Sequence, residues 1–237
     1  MKELKKQFIM RWDEILTVFG LQMFAFLFGE VLMAAVVYFS GEKTVFELGT
    51  VMTLIGVLVL MVIFGMTVTE ICFNMGIGMG GVRKRLVPAI YFVTFLETFL
   101  AYGAAYVFHR LELWIFQTYY SGMENEVDFG FLFQWNYILA VCLAVTAVRA
   151  FFGMLFVRCG KAAFWVFWII WMVVCVGIPR GREVWEHYSD TAVVRGMQSL
   201  LDAFGKMTEN AALWGIAGIS VCLLLISYFF LRRQQVR

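Results

Sequence analysis

Two carboxylates, Glu30 and Glu97, lie deep inside apolar runs long enough to cross a bilayer. An ionised side chain at mid-membrane costs roughly 2.5–3.5 kcal/mol on insertion scales, so such a group faces a bundle interior or a polar cavity. Both glutamates sit near the middle of their runs, which allows them to meet at similar depth. Paired there, they would form either a proton or substrate relay or a hydrogen-bonded contact pinning one helix to another. The second, plainer reading is preferred. A third acid, Glu70, stands near the end of the second apolar run, within reach of the cluster Arg83-Lys84-Arg85, and is expected to make an interfacial ion pair.

That cluster belongs to the stretch FNMGIGMGGVRKRLVP, residues 73–88, which contains a literal G-x-G-x-x-G at Gly76, Gly78 and Gly81. The fingerprint means dinucleotide binding only after a β-strand and within a βαβ unit. Here helix-length apolar runs flank it on both sides, so it reads as a flexible elbow with a basic tip at a membrane surface. No other motif supplies chemistry. G-x-x-x-x-G-K-[ST] and H-E-x-x-H are both missing, and neither His109 nor His187 has a nucleophile at elbow spacing. Cys72, Cys142, Cys159, Cys175 and Cys222 all fall in or beside apolar runs, without a C-x-x-C or His/Cys cluster. No catalytic set, metal site or cofactor is read from the sequence, and the chain is not expected to be an enzyme.

The elements that must position these residues follow from composition. The chain is 62% hydrophobic and 15% charged, against ~45–50% and ~25% for soluble domains. It is expected to be an all-α polytopic membrane protein, a single domain over residues 1–237. A net charge of +2 is too small to suggest nucleic acid. Six runs reach the ~20 residues a span needs: roughly 17–39, 51–73, 88–108, 131–153, 162–180 and 211–231. With the N-terminus in the cytoplasm, thirteen of the 19 Lys and Arg residues fall inside and six outside. That asymmetry favours a cell-membrane protein with both termini cytoplasmic.

Amphipathic segments complete the layout. In residues 1–16, Leu4, Phe8, Ile9, Trp12, Ile15 and Leu16 share a helical face, as an interfacial helix lying on lipid requires. Residues 74–87 form the cytoplasmic elbow. The outer loop 109–130 is expected to begin as an interfacial helix and end in an acidic tip, Glu124, Glu126 and Asp128, read as a solvated loop in preference to a cation site. The outer loop 181–210 carries Val193, Val194, Met197, Leu200, Leu201 and Phe204 on one helical face. Trp165, Trp168 and Trp171 recur along the fifth run as a packing or lipid-facing stripe, and Gly215 and Gly218 permit close helix approach in the last.

Six spans, an N-terminal interfacial helix, a basic elbow after the second span and an amphipathic outer segment before the sixth resemble the membrane subunit of an ABC-2-type exporter. Small bacterial permeases of that kind carry a Gly-hydrophobic-x-Arg-Lys turn at this place. Gly81-Val82-Arg83-Lys84, continued by Arg85, is similar but lacks the small polar residue usual before the Arg. The resemblance implies a separate ABC-type ATPase as partner, an elbow that couples to it, and pairing with a second permease as a homodimer or heterodimer. The rival expectations are a proton-coupled secondary transporter using Glu30 and Glu97, or a non-transporting immunity or assembly factor. Secondary transporters commonly show inverted repeats, and none is visible here.

The charge asymmetry predicts the outcome of cysteine labelling in a background stripped of native cysteines. Ser121→Cys and Ser189→Cys should react with an impermeant reagent in intact cells, and Arg83→Cys only after the membrane is opened. Labelling of Arg83→Cys from outside would overturn the orientation.

Overall fold

A computed structural model describes residues 2–40, 44–120, 122–125, 127–173 and 208–233. Helix α1 (Lys2–Met10) meets α2 (Trp12–Ser40) at a turn on Arg11. A short link then leads into α3 (Leu48–Val51), which runs through a π-helical turn, Met52–Gly56, into α4 (Val57–Gly78). These three pieces form one rod, Leu48–Gly78. Beyond the turn of residues 79–82 come α5 (Arg83–Tyr119), α6 (Trp135–Cys159), α7 (Lys161–Met172) and α8 (Glu209–Arg233). The only sheet among the described residues is a two-residue parallel ladder, β1 (Thr44–Val45) on β2 (Glu124–Asn125). The described residues are all-α apart from that ladder, and among them five helices are long and apolar enough to cross a membrane.

Five of the six expected runs coincide with these helices. The run at 162–180 is matched over its first part by α7, twelve residues long, and residues 174–180 lie outside the described residues, as does most of 181–210. Three boundaries differ from expectation. The N-terminal helix ends at Met10, and residues 12–16 already belong to the first span. The elbow shrinks from 74–87 to the four residues 79–82. Third, α5 has 37 residues and swallows the expected separate helix after His109. At ~1.5 Å per residue it is ~55 Å long, well beyond a ~30 Å hydrocarbon core. Pro88 lies inside it rather than at its start. Pro88 sits in the second turn, where the missing N–H costs one bond to the Lys84 carbonyl and the ring crowds that carbonyl.

Two short reversals send the chain up, down and up, so α2 and α5 run parallel. Their contacts advance together along both helices. Arg11 Nη1 donates to Thr94 Oγ1 at 2.6 Å, Gln22 Nε2 to the Ala101 carbonyl at 2.7 Å, and the Phe26 and Phe108 rings stack at 4.9 Å. Phe73, Leu86, Val87, Ile90 and Met154 fill the core where α4, α5 and α6 converge near the elbow. Trp165 and Trp168 point outward from the bundle, as the lipid-facing reading of their stripe requires. Among the described residues nothing comes within 4 Å of a Cβ position at Gly215 or Gly218. Close approach occurs where α2 crosses α3: a Cβ on Gly29 would lie 2.6 Å from Gly49 Cα.

Gly29→Ala therefore forces one backbone off another and should lower stability by about 1–3 kcal/mol. Gly218→Ala meets none of the described residues, and the alanine's helix preference should leave it neutral or up to ~1 kcal/mol more stable. Thermal unfolding of both variants in detergent checks the contrast; equal effects would mean the α2–α3 crossing is wrong.

Candidate functional site

The most charged place in the interior joins four elements. Arg11 comes from the α1–α2 turn, Glu14 from the first turn of α2, Glu97 from α5 and Arg149 from α6. Arg11 Nε contacts Glu14 Oε2 at 2.8 Å, and Arg11 Nη2 reaches Glu97 Oε2 at 2.9 Å. Arg149 Nη2 contacts Glu14 Oε1 at 2.7 Å, and its Nη1 reaches Glu97 Oε2 at 3.2 Å. Each glutamate thus touches both arginines, and the ring is electrically neutral. Arg11, Glu97 and Arg149 are buried, while Glu14 is one-fifth exposed, its side chain at 21%.

Local sequence explains how so bulky a ring fits. Thr94, one turn before Glu97, accepts the remaining Arg11 nitrogen. Gly65 on α4 faces the Arg149 guanidinium so closely that any Cβ there would overlap it. Burial alone would lower the Arg11 pKa; the charges of Glu97 and Glu14 outweigh it and raise that pKa above the ordinary arginine range. A buried arginine or glutamate without its partners is strongly destabilising, whereas a well-made pair roughly offsets its own desolvation. Chemically the ring offers neither a nucleophile nor a free acid. It fixes the N-terminal turn against α5 and α6.

The expected meeting of Glu30 with Glu97 does not occur. Parallel packing puts Glu97 opposite the start of α2, beside Glu14, and puts Glu30 beside Glu112, about 22 Å further along α5 at ~1.5 Å per residue. Both carboxylates reach the same backbone position: a Cβ on Gly49 would lie 2.8 Å from Glu30 Oε1 and 3.1 Å from Glu112 Oε1. Glu112 also accepts the backbone N–H groups of Gly49 and Thr50 at 2.8 and 2.7 Å. Those donors open the Leu48–Gly78 rod and have no partner within it, so Glu112 caps the rod across the bundle. Glu70 is half-buried and makes no ion pair with the described residues, Arg83, Lys84 and Arg85 included.

The glycine-rich stretch ends α4. Gly80 takes φ +77°, its N–H donates to the Ile77 carbonyl and the Gly81 N–H to the Gly76 carbonyl, both at 2.9 Å. This is a Schellman closure, and its left-handed residue explains a glycine at 80. Extended Val82 then starts α5, so Arg83, Lys84 and Arg85 form that helix's first turn. Val82, Lys84 and Arg85 are exposed, Gly81 and Arg83 half-buried. Cations at a helix N-terminus oppose its dipole, typically by 0.3–1 kcal/mol each. Their presence is not explained by helix stability.

No family model matches this chain, and neither a curated protein nor a solved structure does.

Sequence reasoning picks out Glu97 and misses its partners. In the sequence Arg11 and Glu14 fall off the apolar face of the N-terminal segment, and Arg149 is one of the thirteen cations assigned to the cytoplasmic side. The usable signal is an arginine and a glutamate in two neighbouring apolar runs, since intramembrane charges pair. Glu97→Gln should leave Glu14 alone to neutralise two buried arginines and cost about 3–5 kcal/mol. Adding Arg149→Met should restore part of that loss. Unfolding measurements in which the two losses simply add would contradict the ring.

Proposed function

We propose that this chain is the membrane-spanning subunit of an ATP-driven exporter of the ABC-2 kind, working with a separate ATPase and a second permease subunit in a cell membrane. The observation that carries the reading is the elbow. Three cations occupy a helix start where they weaken the helix, on a turn held rigid by its own hydrogen bonds. Such a basic tip suits an acidic surface, and arginine forks recognise carboxylates with a geometry lysine cannot reproduce.

The connections behind the elbow support the same reading. The helix that begins at Arg83 continues unbroken to Tyr119 at the other end of the bundle, and the charge ring ties its Glu97 to the N-terminal turn. A push at the elbow would therefore move α5, α1 and the start of α2 together. Both termini stand on the ATPase side in this scheme, following the charge asymmetry. The proton-coupled alternative loses its geometric basis, because Glu97 is enclosed by two arginines and Glu30 lies at another level.

Replacing Arg83 and Arg85 by Lys keeps the charge and the lipid attraction, about 1 kcal/mol per cation, and removes the forks. The double variant should insert normally yet lose co-purification with its ATPase or lose stimulated ATP hydrolysis. Assembly and hydrolysis equal to those of the parent protein would rule out specific arginine docking.

A further inference from the structure

At the end of the bundle away from the elbow, three metal-ligating residue types converge from separate segments. Glu47 precedes the first turn of the Leu48–Gly78 rod, His109 lies on α5, and Asp128 is in the connection between α5 and α6. One ligand atom from each lies within 4.8 Å of the other two. We propose that Glu47, His109 and Asp128 bind a divalent transition metal, with zinc as the ion that fits best.

The spacing argues for a shared ion. His109 Nδ1 and Glu47 Oε2 are 3.3 Å apart, and two ligands about 3.3 Å apart subtend a tetrahedral angle at bonds of ~2.0–2.1 Å, the length of zinc bonds to nitrogen and oxygen. Burial points the same way. Glu47 is fully buried and His109 nearly so, and interior carboxylates are paired or coordinate metals. Asp128 is exposed, which opens the site to solvent on one side and leaves a position for water.

The surroundings already hold the ligands in place. Glu47 Oε1 accepts from Asn125 Nδ2 at 2.7 Å, and its Oε2 from the Phe129 N–H at 3.2 Å. Each carboxylate oxygen has two lone pairs, so these bonds orient Glu47 without using it up. Asp128 Oδ1 accepts the Gly130 N–H at 2.7 Å. The His109 ring stacks on Phe133 at 4.9 Å, and Thr50 Oγ1 stands 3.4 Å from Nδ1. One imidazole with two carboxylates suits zinc better than magnesium or calcium, which take oxygen alone. An ion here would clasp the first interhelical link, α5 and the β2 connection to one another.

The test uses the full chain in lipid nanodiscs, stripped with chelator and then titrated with Zn²⁺, with Mg²⁺ and Ca²⁺ run alongside. One zinc per chain should bind by elemental analysis after desalting, raising the melting temperature, and the alkaline-earth ions should do neither. Asp128→Asn, at an exposed position, and His109→Gln, checked for a monodisperse fold, should each weaken zinc binding at least ~10-fold. The proposal is wrong if the parent chain holds no stoichiometric zinc. It is equally wrong if either variant keeps the parent's affinity, because the zinc would then sit on other residues such as His187 or Cys159.

Discussion

Two arginines and two glutamates, closed into a neutral ring inside an apolar bundle, set the constraint on which the rest depends. Each of the four charges is costly in hydrocarbon alone, and each becomes acceptable only while the other three are in place. The ring therefore defines the position of three segments at once: the N-terminal turn, the first half of α5 and the second half of α6. Its geometry also demands Gly65, because the Arg149 guanidinium occupies the volume a side chain would fill.

From that fixed point the parallel register of α2 and α5 runs outward. Gln22 follows at Ala101, Phe26 at Phe108, and Glu30 arrives beside Glu112. At this far end the polar groups serve a different purpose. Glu112 satisfies the opening donors of the Leu48–Gly78 rod, and Glu47 gathers Asn125 and Phe129 around the link. The bundle thus has polar clasps at two levels with apolar packing between them. The elbow lies beyond the ring, at the opposite end of the rod from the second clasp.

Much of this is legible in the amino-acid sequence. A run of twenty apolar residues is an unambiguous signal, and five of the expected spans are where the runs place them. The elbow's basic tip and glycine punctuation are also visible. The extent of α5 is not. Pro88 looks like a helix start, and His109, Arg110 and Glu112 look like the start of a separate interfacial helix, because their polarity is weighed against lipid rather than against partners in the protein. In the structure His109 and Glu112 are buried, facing Glu47 and the rod's first amides. The ring is hidden for the same reason. Its members are far apart in sequence, and charge patterning along a single helix does not reveal a contact between four elements. The middles of their runs assign Glu30 and Glu97 to one level, which the true start of α5 at Arg83 shifts.

The central claim is that the ring binds the N-terminal helix to the helix that begins at the elbow. The direct measurement is a distance distribution between spin labels at Lys6 on α1 and Lys84 on α5, both exposed, in the parent chain and in Arg11→Gln. The account predicts a single narrow distance in the parent and a broad, longer one when Arg11 is lost. An unchanged narrow distribution in Arg11→Gln would contradict it.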